Sequence, residues 1–333
     1  MKKSVRNSKR LSVLALATAL ALSGCASSQS SQGETSEEVI KIGATQIMDH
    51  PSLNMAREGF EERLTELGIK YEMDYQNAGG DLGNSQIITE KFIADKYQMI
   101  YAISTPSAQA AQNAAKDSKT PVVFTAVTDA VSAGLVDENS KSEYITGVLD
   151  ATSDENVKEL LEVARSIKDD KKATSVIYNT GEANSIAQVE QIKKVASEIG
   201  LEVVEVGISA LTDIDQAMEM VGSKADSLFL ISDNLLASSM DMVAQKANAK
   251  GLVTVTPIAS FVESGALISI GIDYKQLGMD AADMAKQILV DKVAVSDIPV
   301  SESLTLYTYI NKATAEKLSV DIDKISTDTS KII

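Results

Sequence analysis

Residues able to hold a small ligand fall in a few short stretches, each directly after an apolar run. Thr105-Pro106-Ser107-Ala108-Gln109 follows MIYAIS, which ends at Ser104. Thr128-Asp129 follows the next run, and Ser232-Asp233-Asn234 follows a run in the second half of the chain. Asn179-Thr180-Gly181-Glu182-Ala183-Asn184-Ser185 joins a turn glycine to a carboxylate, amides and a hydroxyl. Gln46 and His50, the one histidine of the chain, flank the end of the first apolar run, and Asp273 follows Gly271-Ile272. Thr105 as an N-cap with Pro106 at the first helical position would leave amides and the Ser107 hydroxyl free at the positive end of a helix dipole. That is a place for a carboxylate. Asp129 and Asp233 can each cap a helix or pair with a ligand ammonium. An acid on one side of a cleft, opposite helix amides on the other, would recognise a zwitterion. All of these residues would also serve as ordinary caps and turns; their position after strands favours ligand contact.

Bond-breaking chemistry has little support. There is no glycine-rich phosphate loop, no GxSxG and no metal-spaced His/Cys cluster, and one histidine cannot build a typical triad. The expectation is a binding protein rather than an enzyme, with no cofactor and no metal.

The elements that must position these residues alternate between strands and helices. Strands are predicted at 39–46, 70–78, 99–104, 121–127 and 144–150, with helices at 52–67, 83–96 and 106–117. In the first helix Leu53, Ala56, Phe60, Leu64 and Leu67 share one face, and Gly68 ends it. The series then recurs: strands at 173–179, 201–208, 225–232, 253–259 and 266–272, helices at 154–168, 184–199, 213–222 and 235–249. Ala102-Ile103-Ser104 is matched by Leu230-Ile231-Ser232, and Gly68-Ile-Lys-Tyr-Glu by Gly200-Leu-Glu-Val-Val. Alternation of this kind implies parallel sheets covered on both faces. The fold class is therefore α/β: two doubly wound, Rossmann-like parallel-sheet lobes. Ligands in such sheets sit beyond the carboxyl ends of the strands. A long amphipathic helix at 275–291, a strand at 304–310 and a short helix at 312–318 end the chain. The long helix is expected to return to the first lobe and the last strand to complete the second. The lobes are then 39–148 with 274–298, and 149–273 with 299–333. Three crossings join them, near 147–150, 271–274 and 298–303.

The amino terminus carries a separate signal. Lys2, Lys3, Arg6, Lys9 and Arg10 precede an apolar run from Leu11 to Leu22, which is too short to span a membrane. Leu22-Ser23-Gly24-Cys25 then resembles the bacterial lipobox. Residues 1–24 are expected to be a lipoprotein signal peptide, Cys25 the lipidated residue, and 25–38 a polar linker to an anchor in the cell membrane. Without the five leader bases, the 31 basic residues become 26 against 47 acidic ones, a net charge of −21. Such a surface argues against nucleic acid as a partner.

Several stretches together are similar to one family. They are His50-Pro51-Ser52-Leu53, Ser104 to Gln109, Pro121 to Asp129, Tyr178 to Ser185 and Gly271 to Gly278. On these the chain resembles the type I solute-binding lipoproteins of ABC importers, in particular the tryptophan/tyrosine-type binding proteins of Gram-positive bacteria. The resemblance covers roughly residues 40–310. Thr180 and Ala130 stand where proline is common in that subfamily. The resemblance implies the type I periplasmic-binding-protein fold with a three-strand hinge, an extracytoplasmic monomer, and delivery of a ligand to an ABC permease in the membrane. It also implies an amino-acid ligand, aromatic in character, held by Gln46, His50, Ser104, Thr105, Ser107, Thr128, Asp129, Asn179, Glu182, Asn184, Ser185, Asp233, Asn234 and Asp273. Two other roles remain open at this point: a ligand-sensing lipoprotein for a membrane receptor, and an importer receptor for a sugar or nucleoside.

Overall fold

In a computed structural model that describes residues 39–167, 173–302 and 305–333, each predicted apolar run forms a strand. The leader, Cys25 and the 25–38 linker lie outside the described residues. One sheet contains β1 (Ile40–Gln46), β2 (Tyr71–Asn77), β3 (Met99–Ile103), β4 (Val122–Val127), β5 (Ile145–Leu149) and the short β11 (Ser301–Glu302). Its order is β11-β5-β4-β3-β1-β2, and each pairing is parallel. The other sheet contains β6 (Ala173–Asn179), β7 (Glu202–Ile208), β8 (Ser227–Phe229), β9 (Val253–Ile258), β10 (Ile268–Ile272), β12 (Leu306–Ile310) and β13 (Lys331–Ile332). Its order, β13-β12-β10-β9-β8-β6-β7, repeats the first through β10, and only β12 runs antiparallel to its neighbour β10. Gly68 and Gly200, the matched glycines of the repeat, both stand at φ +68° before the edge strands β2 and β7. A side chain there would be strained in the left-handed region.

Helices cover both faces of each sheet, as parallel strands buried on two sides require. The first lobe carries α1 (Pro51–Glu66), α2 (Leu82–Ala94) and α3 (Thr105–Ala115). The second carries α4 (Asp154–Ile167), α5 (Ala183–Glu198), α6 (Ile214–Lys224), α7 (Asn234–Ala237), α8 (Met240–Ala249), α9 (Ala259–Glu263) and, near the chain end, α11 (Lys312–Leu318). Between β10 and β11, α10 (Tyr274–Leu289) returns to the first lobe and packs along α1. Its face of Leu277, Ala281, Met284, Ile288 and Leu289 is buried, as are Leu53, Ala56, Phe60 and Leu64 of α1; Leu67 is half-buried. The two helices approach so closely that a Cβ on Gly59 would lie 2.0 Å from the Lys275 carbonyl oxygen, and one on Gly278 1.8 Å from that of Ala56. Beneath them the rings of Phe60 and Tyr101 stack with centroids 3.8 Å apart.

Three expectations change in detail. Ser301–Glu302 pairs with Val148–Leu149 in the first sheet, so the chain runs on beside β5 before its third crossing, and the second lobe resumes only after residue 302. The helix expected over 235–249 is broken into α7 and α8, with Ser238 and Ser239 between them. The strand expected over 225–232 is three residues long; Leu230 still donates its N–H to the Val255 carbonyl of β9 (2.9 Å), and the chain then turns into the loop that carries Asp233.

Candidate functional site

The carboxyl ends of β1, β3 and β4 face those of β6, β8 and β9 across the junction between the lobes. Between them lies a cavity drawn shut to about 10 Å³, room for one water. The first lobe supplies His50, Ser52, Leu53 and Ala126; the second supplies Asn184, Ser232, Asp233, Asn234, Ala237, Ile258 and Phe261; Tyr274 comes from the start of α10. Direct hydrogen bonds span the lobes here. His50 Nε2 meets Asn234 Oδ1 at 3.2 Å, and the Ser52 and Ser260 hydroxyls meet at 2.7 Å.

His50 ends its loop as the N-cap of α1, with Pro51 following, so its own φ of −158° is extended and the ring turns into the junction. Burial, the largest effect on the ring, lowers its pKa from 6.5 to about 4, against the weaker pull of Asn234 and Asp49. Gln46 does not line the cavity. Its Nε2 donates to the Met48 carbonyl and to Asn54 Oδ1, both at 2.8 Å, and so supports the loop that carries His50.

On the second lobe, Asp233 caps α7 through the Leu236 N–H (2.9 Å), accepts the Asn179 N–H (2.6 Å) and accepts the Ser185 hydroxyl (2.7 Å). These bonds join the ends of β6 and β8 and hold the loop at the mouth of α5. Glu182 accepts Asn179 Nδ2 at 3.0 Å on one oxygen and Asn234 Nδ2 on the other. Burial, then the nearby Asp233 carboxylate, push its pKa up to about 7; Asp233 is raised too, chiefly by burial. Asn184 donates to the Ser232 carbonyl at 2.8 Å and leaves Oδ1 without a partner.

The α3 terminus differs by one residue from expectation. Ser104, not Thr105, is the N-cap: its Oγ lies 3.5 Å from the Ser107 N–H and 3.2 Å from Ser107 Oγ. Its φ of 96° explains the shift, because that turn brings the hydroxyl over the helix one position early. Thr105 then sits in the first turn with a buried hydroxyl that has no partner. Ala126, at φ 55°, is a second non-glycine residue in the left-handed region at a strand end facing the junction. Such strain persists only where the surroundings enforce it and gathers at functional sites.

The expected residues divide among separate places. His50, Asn184, Asp233 and Asn234 line the shut cavity. Asn179 and Glu182 line a neighbouring cavity of about 200 Å³ with Pro106, Ile47 and Met48. Thr128 and Asp129 lie apart from both, in a recess of about 430 Å³ beside Leu149 and Glu302. Asp129 caps no helix there: it accepts the Val131 and Ser132 N–H groups in a turn. Asp273 caps α10 through the Lys275 N–H (2.9 Å), and it is the next residue, Tyr274, that reaches the cavity.

Tyr274 and Asp150 were not singled out from sequence, and they join two of the crossings. The Tyr274 hydroxyl donates to Asp150 Oδ2 at 2.6 Å, and Ser232 Oγ donates to the same oxygen at 2.9 Å. Burial raises the Asp150 carboxyl and raises Tyr274 well above its ordinary value. Phe261 and Ala126 were also missed. The rule that found the other loops, reading the residues after each strand, stopped at Asp273 after β10, one residue short of Tyr274, and carried on to β9 it would have reached Phe261.

Two parallel-sheet lobes, joined by crossings at Asp150, at Tyr274 and after Glu302, with a polar-and-apolar cavity at their junction, define a solute-binding protein of the type I periplasmic fold. The comparisons agree: residues 41–332 match the ABC transporter substrate binding protein family, and the chain belongs to it. It is 38% identical, over 98% of its own length and 96% of the relative's, to a tyrosine-binding protein of Clostridioides difficile strain R20291. Among solved structures it is similar to an ABC domain from Streptococcus pneumonia in complex with L-Trp (TM-score 0.81, 28% identity, 88% of this chain and 100% of that one). It is also similar to the ligand-free, open structure of a Clostridium difficile substrate binding protein with adhesive properties (TM-score 0.67, 38% identity, 89% and 99%). The overlay is better on the Trp complex although the sequence is nearer to the open protein. Substrate-binding proteins of ABC transporters work outside the cytoplasm, and among the described residues no helix is long and apolar enough to cross a membrane.

Proposed function

We propose that this protein captures an aromatic amino acid between its lobes and delivers it, unaltered, to an ABC permease, acting as a monomer held at the membrane by a lipid on Cys25. The observation that carries the ligand class is the 38% identity, along nearly the whole chain, to a protein named for binding tyrosine. The Trp complex of a second relative supports it. The junction offers such a ligand both kinds of contact, in the shut cavity and in the neighbouring one. Leu53, Ala126, Ala237, Ile258 and Phe261 offer an apolar wall for a ring, and Glu182 and Asp233 offer negative charge for an ammonium. The α3 terminus, with the unpaired Thr105 hydroxyl and Ser107, is the place for the carboxylate. Opening at the crossings admits the ligand. Closure is favoured by those contacts that exist only when both lobes touch it.

A thermal-shift titration against the twenty amino acids tests this. Tyrosine, tryptophan or phenylalanine at a hundredfold excess over Kd should stabilise the protein by about 2.7 kcal/mol. No shift with any of the three, beside a shift with another solute, would assign a different ligand.

A further inference from the structure

The proton on His50 can be placed by following a chain of donors from the backbone. The Gly181 N–H donates to Asn179 Oδ1 at 2.9 Å, and a backbone N–H cannot accept, so Asn179 must turn its Nδ2 towards Glu182 Oε1 (3.0 Å). The other Glu182 oxygen takes Asn234 Nδ2, which leaves Asn234 Oδ1 facing His50 Nε2 at 3.2 Å. An amide oxygen only accepts, so Nε2 carries the ring proton. Nδ1 is then a bare lone pair. It is buried and has no partner among the described residues, although the ring lines the cavity. As the N-cap of α1, His50 makes no side-chain bond to that helix's own N–H groups. The neighbouring hydroxyls of Ser52 and Ser260 bond each other at 2.7 Å, and neither bonds Nδ1.

We propose that His50 Nδ1 accepts a hydrogen bond from the side chain of the ligand, and that the protein thereby selects aromatic amino acids bearing a ring donor, a phenol O–H or an indole N–H, over phenylalanine. This rests on the aromatic amino-acid reading given above. A ring donor fits the position better than the ammonium does. His50 lines the cavity together with Ser52, Leu53 and Ala126 of the first lobe and Ile258 and Phe261 of the second, a surround with apolar surface for a ring. With its pKa lowered to about 4, the ring stays neutral and accepting at physiological pH. A site that presents a buried acceptor leaves it unpaired when the ligand lacks the donor, and the penalty falls on that ligand alone.

The test is calorimetric titration of the full chain with L-tyrosine and L-phenylalanine, two ligands that differ only in the donor. It is run at pH 8, above the value of about 7 to which Glu182 is pushed, so that its carboxylate accepts on both oxygens. Tyrosine should bind about ten- to a hundredfold more tightly. His50→Gln keeps a side-chain N–H for Asn234 and lacks the Nδ1 acceptor, so it should bring the tyrosine/phenylalanine ratio close to one by weakening tyrosine alone. Because the chain has one histidine, nitrogen NMR of the wild-type imidazole gives an independent readout that needs no variant. Nδ1 should be unprotonated and should shift on addition of tyrosine but not of phenylalanine. Equal wild-type affinities, an unchanged ratio in His50→Gln, equal loss of both ligands, or a protonated Nδ1 would each overturn the His50 assignment and leave the aromatic reading standing. Binding of neither amino acid would overturn both.

Discussion

Asp233 shows how one carboxylate can organise a binding loop before it meets any ligand. Three donors from three segments converge on it: the Asn179 and Leu236 N–H groups and the Ser185 hydroxyl, all within 2.9 Å. With the carboxylate removed, two buried backbone donors and a hydroxyl lose their acceptor, at about 1–3 kcal/mol for each unsatisfied group before relaxation. Asp233→Ala is therefore expected to lower unfolding stability by about 2–4 kcal/mol, read from a denaturant midpoint at unchanged m-value. A loss below about 1 kcal/mol would mean that water or a rearranged loop replaces it without strain. The weakened ligand binding also expected of this variant is to be judged only where the protein remains folded.

At the scale of elements, the joint that most limits substitution is the crossing of α1 and α10, where two glycines let backbone meet backbone. A methyl group on Gly278 would sit 1.8 Å from the Ala56 carbonyl oxygen, and backbone cannot yield as a flexible side chain can. Gly278→Ala should force the helices apart and cost about 1–3 kcal/mol or more, seen as a lowered melting temperature. Gly222→Ala is the control, since the Cβ there meets the far end of the Lys250 side chain. Much of this architecture was legible in the sequence, and for a physical reason. Buried parallel strands read as apolar runs, the α10 face reads at three- and four-residue steps, and the Gly68/Gly200 pair marks the internal repeat. What was hidden depends on contacts between distant segments. Ser301–Glu302 has no strand pattern of its own and joins a sheet because the backbone edge of β5 at Val148–Leu149 is open to pairing. The four- and five-residue helices α7 and α9 are too short for periodicity to show. Thr128 and Asp129 carry the same kind of signal as Asp233, yet the turn at 129–135 takes them to a separate recess. Sequence placed residues at strand ends; only the packing of the lobes decides which strand ends share a cavity.

For the whole molecule, closure buries two groups whose protonation pulls in opposite directions. His50 stands between the lobes with Asn234 and Asp49 near it, and its pKa falls from 6.5 to about 4. A base with a depressed value in the folded form contributes stability that is complete above pH 6.5 and is lost as the pH falls through 4. Glu182, facing Asp233, rises from 4.5 to about 7, so its contribution is complete below pH 4.5 and is lost as the pH rises through 7. The two windows overlap and their slopes oppose, so the wild-type profile conceals both. Single variants separate them. Relative to His50→Gln, the wild type should lose stability only on acidification below pH 6.5, approaching about 3 kcal/mol under pH 4, as the fall from 6.5 to about 4 implies. Relative to Glu182→Gln, it should gain stability on acidification from pH 7 to 4.5. Carboxylates remote from both sites cancel in the differences, while the Glu182→Gln comparison reports Glu182 and Asp233 as an interacting pair. Denaturant unfolding at half-unit intervals from pH 4 to 8 is the measurement. If the His50→Gln difference were flat across that range, the ring would have to be solvated in the folded protein, and the lobes would not be closed over it.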